Sequence, residues 1–134
     1  MVVDDNLVLA SLLQMILEDE GYEARFAGDG LDGYASYLRF RPEVVITDLH
    51  MPGGNGIELM NNIRKQDPRV KTIYMSGDML QFIPFLNEEK SRYPVRLLRK
   101  PFSREELLNL LAGFVSGGKE ESLLASSQPR RMAE

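Results

Sequence analysis

The run Val44-Val45-Ile46 constrains this chain more than any other stretch, because three consecutive β-branched residues leave no polar face for water. An extended run of that kind reads as a strand buried on both sides, and such strands belong to parallel sheets. Parallel strands must be joined by long crossovers, usually helices. The rest of the chain supplies that alternation. Met1-Val2-Val3, Tyr22 to Ala27, Val70 to Met75 and Val95 to Leu98 read as four further strands. Between them, apolar residues recur at helical spacing: Leu9, Leu12, Leu13, Ile16 and Leu17; Leu31, Tyr34, Ala35 and Leu38; Ile57, Leu59, Met60 and Ile63. Five strands and five helices predict a doubly wound α/β domain with a parallel sheet, and right-handed crossovers put helices on both faces.

The helix boundaries have local causes. Gly21 offers a left-handed stop for the first helix, Pro42 closes the second and Pro68 the third. Residues 79–92 carry Leu80, Phe82, Ile83, Phe85 and Leu86, but Pro84 removes a hydrogen bond from a helix interior, so a late start or a kink is expected there. Ser103 and Glu106 form a capping box before Leu107, Leu108, Leu110, Leu111, Phe114 and Val115, which makes the last helix the clearest element. The leucines of that helix, and Phe82 with Phe85, are read as core or at most as a partner-facing surface. Gly117-Gly118 opens a polar segment, residues 117–134, expected to be a disordered tail after a domain at 1–116.

At 134 residues there is room for one core and no second folded domain. The net charge of −4 gives no basic footprint for direct nucleic-acid binding. With no cysteine there is no disulfide, thiolate metal site or cysteine nucleophile. No apolar stretch reaches the length of a membrane span, and residues 1–20 carry acids where a signal peptide needs basic residues, so a cytoplasmic location and no membrane partner are expected.

Four of the strands end on residues suited to a divalent cation or a phosphoryl group: Asp4-Asp5, Asp48, Ser76 and Lys100. In an open parallel sheet the carboxyl ends of the strands share one edge, where ligands bind. Taken singly, each has a bland explanation: Asp5 as a cap of the first helix, Asp48 as a turn former, Ser76 as a strand exit, Lys100 as a solvated charge, and His50, the one histidine, as a loop residue. Their joint placement at four strand ends favours a site.

Asp4-Asp5, the loop from Asp48 through Leu-His-Met-Pro-Gly-Gly-Asn to Gly56, Ser76 and Lys100-Pro101-Phe102 closely resemble the receiver domains of two-component response regulators, from residue 2 to about residue 115. The resemblance implies a flavodoxin-like (βα)5 fold with strand order 2-1-3-4-5. It implies that Asp48 accepts a phosphoryl group from a histidine kinase or histidine phosphotransfer protein. Mg²⁺ would be held by Asp4, Asp5, Asp48 and the backbone carbonyl of His50. Ser76 and Lys100 would meet the phosphoryl oxygens, and the Lys100-Pro101 bond would be cis, aiming the ammonium inward. Such a domain is a signalling phosphoacceptor rather than an enzyme, and it acts through a downstream protein partner. The last helix and fifth strand are the first choice for that contact, a homodimer included. Side chains two positions after the acceptor and after the hydroxyl residue, His50 and Asp78, tune the lifetime of the phosphorylated form in that family.

Leu97 departs from the pattern, because many receivers carry there an aromatic that changes rotamer with the hydroxyl residue; Tyr74, Phe82 and Tyr93 are the candidate substitutes. Pro84 and the charged run Asn87-Glu88-Glu89-Lys90 make the fourth helix atypical. Only three residues precede Asp4, so the first strand should be short, and native residues added upstream should raise the melting temperature. With 117–134 too short for a DNA-binding region, the chain is expected to be a stand-alone receiver or a piece of a longer regulator. Two other readings stay open: a haloacid-dehalogenase-like phosphohydrolase, which would want an acid at position 50, and a receiver-shaped interaction module that is never phosphorylated.

Overall fold

The computed structural model of the chain describes residues 1–51 and 55–116. Pro52, Gly53 and Gly54 of the acceptor loop, and the tail expected at 117–134, lie outside the described residues. The elements run β1 (Val2–Val3), α1 (Leu7–Asp19), β2 (Phe26–Ala27), α2 (Gly30–Phe40), β3 (Val44–Asp48), α3 (Gly56–Gln66), β4 (Lys71–Ser76), a 3₁₀ turn (Leu80–Phe82), α4 (Ile83–Arg92), β5 (Val95–Arg99) and α5 (Arg104–Ser116). The strands form one sheet in the order β2-β1-β3-β4-β5. Every neighbouring pair is parallel. The order implied by the resemblance is therefore the observed one.

Alternation along the strands sorts the core into two layers. Val3, Val45, Tyr74 and Val95 join Tyr37, Leu59, Met60, Ile63 and Leu86, so α2, α3 and α4 cover that face. Val2, Val44, Ile46, Ile73 and Met75 join Leu13, Leu17, Leu107 and Leu111, so α1 and α5 cover the other. All five residues of β3 are buried, as its unbroken β-branched run requires.

β1 is as short as expected, yet it is central and fully buried. Main-chain bonds extend its pairing on both sides: the Ile46 amide donates to the Met1 carbonyl at 2.8 Å and the Asp4 amide to the Ala27 carbonyl at 3.1 Å. That brevity limits its neighbour. β2, read from sequence as Tyr22 to Ala27, is confined to Phe26 and Ala27, the two residues in register with Val2 and Val3. Tyr22 and Ala24 are buried without belonging to a strand.

The cap of α1 is Asn6, whose side chain accepts from the Leu9 amide at 3.1 Å. Asp5 is thereby free of the capping role that its position suggested. Pro84 does impose a late start: the 3₁₀ turn comes first and α4 follows with Pro84 in its first turn, where the missing N–H costs no intrahelical bond. Ser103 and Glu106 make the expected reciprocal box, with bonds of 3.0 and 3.2 Å. No helix among the described residues is long and apolar enough to cross a membrane.

Candidate functional site

The carboxyl ends of β1, β3, β4 and β5 share one edge of the sheet, and the predicted residues stand on it. Parallel pairing fixes their neighbourhood: Asp48 is opposite Met75, one residue before Ser76, and Ser76 is opposite Arg99, one residue before Lys100. The Lys100 amide donates to the Ser76 carbonyl at 2.8 Å, which carries the pairing one step past β5. The Lys100-Pro101 peptide is cis.

Asp4, Asp5 and Asp48 each present a carboxylate oxygen, and the three atoms lie within 4.8 Å of one another. Asp4 is buried and Asp48 nearly so, while Asp5 is exposed. Three hard oxygen donors, one open to solvent, suit a hydrated divalent ion such as Mg²⁺ or Ca²⁺ rather than a softer metal. Between the two buried acids lies the ammonium of Lys100, 2.7 Å from Asp4 Oδ2 and 3.2 Å from Asp48 Oδ2. The other oxygens are held by main-chain amides: Asp4 Oδ1 by Asn6 at 2.9 Å, Asp48 Oδ1 by His50 at 3.2 Å.

These contacts act against one another in Asp48. Burial pushes its carboxyl above the ordinary carboxylate range and the Asp4 charge adds to that, against the His50 amide and Lys100, which favour the anion. For Lys100, burial alone would lower the ammonium, but its hydrogen bond to Asp4 and the charges of both acids raise it. Lys100 therefore stays charged while keeping both carboxylates beside each other.

Ser76 is buried, and its hydroxyl accepts from the Asp78 amide at 3.0 Å. It stands on the same edge as Asp48, joined to Lys100 through the main chain. His50 is exposed. Its ring meets Phe82 edge-on at 4.9 Å and its Nε2 lies 3.2 Å from Gln81 Nε2. The imidazole thus faces the β4–α4 connection, and no acid stands two residues after Asp48.

Three features escaped sequence reasoning. Gln81 also donates to Asp78 Oδ2 at 3.3 Å, so one amide spans the two positions named for lifetime tuning. Nothing local in the sequence marks it. Gly56, read as the end of a loop, is the first residue of α3, and a Cβ there would overlap the Asp48 carbonyl oxygen. Glu89, read only as part of a charged run, is buried and paired with Arg64 at 2.8 Å. A signal for that pair exists: Glu89 lies three residues after Leu86, and Arg64 continues the buried 57, 60, 63 stripe of α3.

The family model of the response regulator receiver domain matches residues 1–112. The transcriptional regulatory protein TrcR of Mycobacterium tuberculosis is 28% identical over 117 residues, 86% of this chain and 44% of that protein. The chain thus spans less than half the length of that relative. The chemotaxis protein CheY4 of Vibrio cholerae superposes with a TM-score of 0.74 at 28% identity, over 82% of this chain and 92% of that one. The receiver domain of NtrX from Brucella abortus gives 0.75 at 28% identity, over 87% and 98%.

Proposed function

Because the chain belongs to the response regulator receiver domain family, we propose that it is a phosphoacceptor whose nucleophile is Asp48. The observation that carries this reading is the convergence of Asp4, Asp5 and Asp48 within 4.8 Å, with Lys100 bridging two of them. A carboxylate oxygen of Asp48 attacks the phosphorus of a phosphohistidine; the P–O bond forms, the P–N bond breaks, and the imidazole leaves neutral, keeping the proton already on its other ring nitrogen. Phosphoryl transfer needs positioning and charge stabilisation more than bond chemistry from the protein. The buried β3 terminus holds Asp48 still, and the His50 amide orients it. Lys100, which among the described residues is the cation touching both Asp4 and Asp48, and the Ser76 hydroxyl would meet the oxygens of the transferred group.

Asp4, Asp5, Asp48 and the His50 carbonyl are the groups that would hold Mg²⁺. When bound, it supplies neutralisation of the charge gathered between the acids and the phosphoryl oxygens. The phosphodonor is a histidine kinase or histidine phosphotransfer protein. The domain spans 1–116, acts in the cytoplasm, and passes its state to a protein partner rather than to nucleic acid; α5 and β5 are the first choice for that surface, including self-association.

Intact-mass measurement after incubation with a small phosphodonor and Mg²⁺ tests the assignment. The native chain should gain one phosphoryl mass and Asp48→Asn none. Label in the variant, or label formed without divalent cation, would overturn it.

A further inference from the structure

Leu97 stands where the resemblance leads one to expect an aromatic, and the structure shows a tie between the Ser76 strand and α4 that does not use that position. Tyr74 lies opposite Leu97 across β4 and β5, fully buried. Its hydroxyl donates to Glu89 Oε1 on α4 at 2.6 Å. The same Glu89 oxygen accepts from Arg64 NH1 of α3 at 2.8 Å, and Arg64 NH2 donates to the Thr72 hydroxyl at 3.2 Å. The guanidinium stacks over the Tyr93 ring at 4.2 Å. Thr72, Tyr74 and Ser76 occupy alternate positions of β4 and so share one face.

We propose that Tyr74, Glu89 and Arg64 form a latch that ties α4 to the strand ending in Ser76 and carries the state of the Asp48 site to α4. The inference rests on the phosphoacceptor reading above, since that supplies the input.

Three observations support it. First, α4 has little else to hold it: its buried residues are Leu86 and Glu89, while Ile83 and Phe85 are exposed, as is Leu80 of the preceding turn. Half of its buried anchorage is thus a charge. Second, the latch is a poor stabiliser. Arg64 is buried, yet its Nε has no hydrogen-bond partner. Buried ion pairs are often matched or bettered by apolar side chains of similar volume, and a partly satisfied network is costlier still. Third, the bond is directional: a short hydroxyl-to-carboxylate contact fails with a small displacement of Tyr74, whereas apolar packing slides. Movement of Ser76 toward a phosphoryl group displaces β4 two residues from that hydroxyl, and the bond to Glu89 is what α4 senses.

Hydrogen exchange of residues 83–92, followed by mass spectrometry with and without phosphodonor and Mg²⁺, tests the latch in the native chain, in Tyr74→Phe and in Tyr74→Phe/Arg64→Met/Glu89→Leu. The expected result is label on Asp48 in all three, altered α4 exchange on labelling in the native chain, and loss of that alteration in both variants. The triple variant, which leaves neither a tyrosine hydroxyl nor a charge of the latch unpaired, should melt at or above the native temperature, which separates a signalling role from a structural one. An α4 response of native size in the variants overturns the latch, as does a labelled native chain whose α4 exchange does not change. A native chain that takes no label overturns the phosphoacceptor reading itself, and the latch with it.

Discussion

Gly56 sits against Asp48 so closely that a Cβ at position 56 would overlap the Asp48 carbonyl oxygen and press on the Thr47 side chain. The Gly56 amide donates to the Leu49 carbonyl at 3.3 Å, and Asn55 caps α3 by accepting from the Glu58 amide at 2.9 Å. The first turn of α3 is thereby seated on the end of β3 that bears Asp48. A glycine is required by this close approach and not by an unusual backbone angle.

Gly56→Ala should therefore destabilise the fold by about 1–3 kcal/mol, the usual cost of overpacking a site whose neighbour is backbone. Urea unfolding measures it. The same variant should label more slowly on Asp48, since β3 and α3 must part to admit the methyl group. A variant of native stability would show that α3 shifts freely and does not fix the acceptor.

Lys100→Met should leave Asp4 and Asp48 facing each other without their shared cation. Stability in metal-free buffer should fall by about 1–3 kcal/mol, below the figure for a deeply buried pair because the lysine side chain is partly exposed. Mg²⁺ should then raise the melting temperature of the variant more than that of the native chain, because the cation no longer competes with an ammonium. Labelling of Asp48 should drop at the same time. Equal Mg²⁺ effects in the two proteins would argue against Lys100 standing at the cation site.

Alkaline pH should unfold the protein through groups that burial holds. The phenols of Tyr37 and Tyr74 are raised above 10.0, burial being the main cause in each. The unfolded chain releases those protons first, so their contribution is intact below pH 10.0 and is lost as pH rises past it. Lys100 acts in the same direction: it is raised above 10.5 by its acid partners despite its burial, so its stabilisation holds below 10.5 and is lost as pH climbs through its folded value. Melting temperature should accordingly decline above about pH 10. Phenolate absorbance should show Tyr37 and Tyr74 ionising late and together with unfolding. Ordinary titration of Tyr37 and Tyr74 in a folded chain would refute this.

Gln81→Ala should shorten the life of the phosphorylated form. The Gln81 amide reaches both Asp78 and His50, and Phe82 closes on the His50 ring, so this short wall joins the two connections beside Asp48. Exposed hydrogen bonds of this kind are worth about 1 kcal/mol, so loss of the label should be accelerated several-fold. Decay of the labelled mass after donor removal reports it; an unchanged decay would mean that water reaches the site by another route.

The parallel sheet, its two-sided coverage and the four strand-end positions of the site were legible in the chain because each depends on local pattern. A β-branched run such as Val44-Val45-Ile46 cannot be half exposed, and Ser103 with Glu106 caps a helix wherever that helix packs. Strand β2 was overextended for the opposite reason: the alternation from Tyr22 to Ala27 describes what could pair, whereas β1 offers partners to Phe26 and Ala27 alone. Asn6 displaced Asp5 as the cap of α1, a choice between neighbours that a dihedral angle decides.

Sequence by itself determined which side chains stand at the ends of the strands, since side-chain period and crossover handedness are properties of any chain with this pattern. Only the tertiary structure decided their partners. Lys100 meets Asp4 across 96 positions, Arg64 meets Glu89 across 25, and Gly56 meets the Asp48 backbone through a contact no periodicity encodes. Such pairings follow from how helices settle on a twisted sheet, and that is set by the summed packing of the whole core rather than by any segment within it.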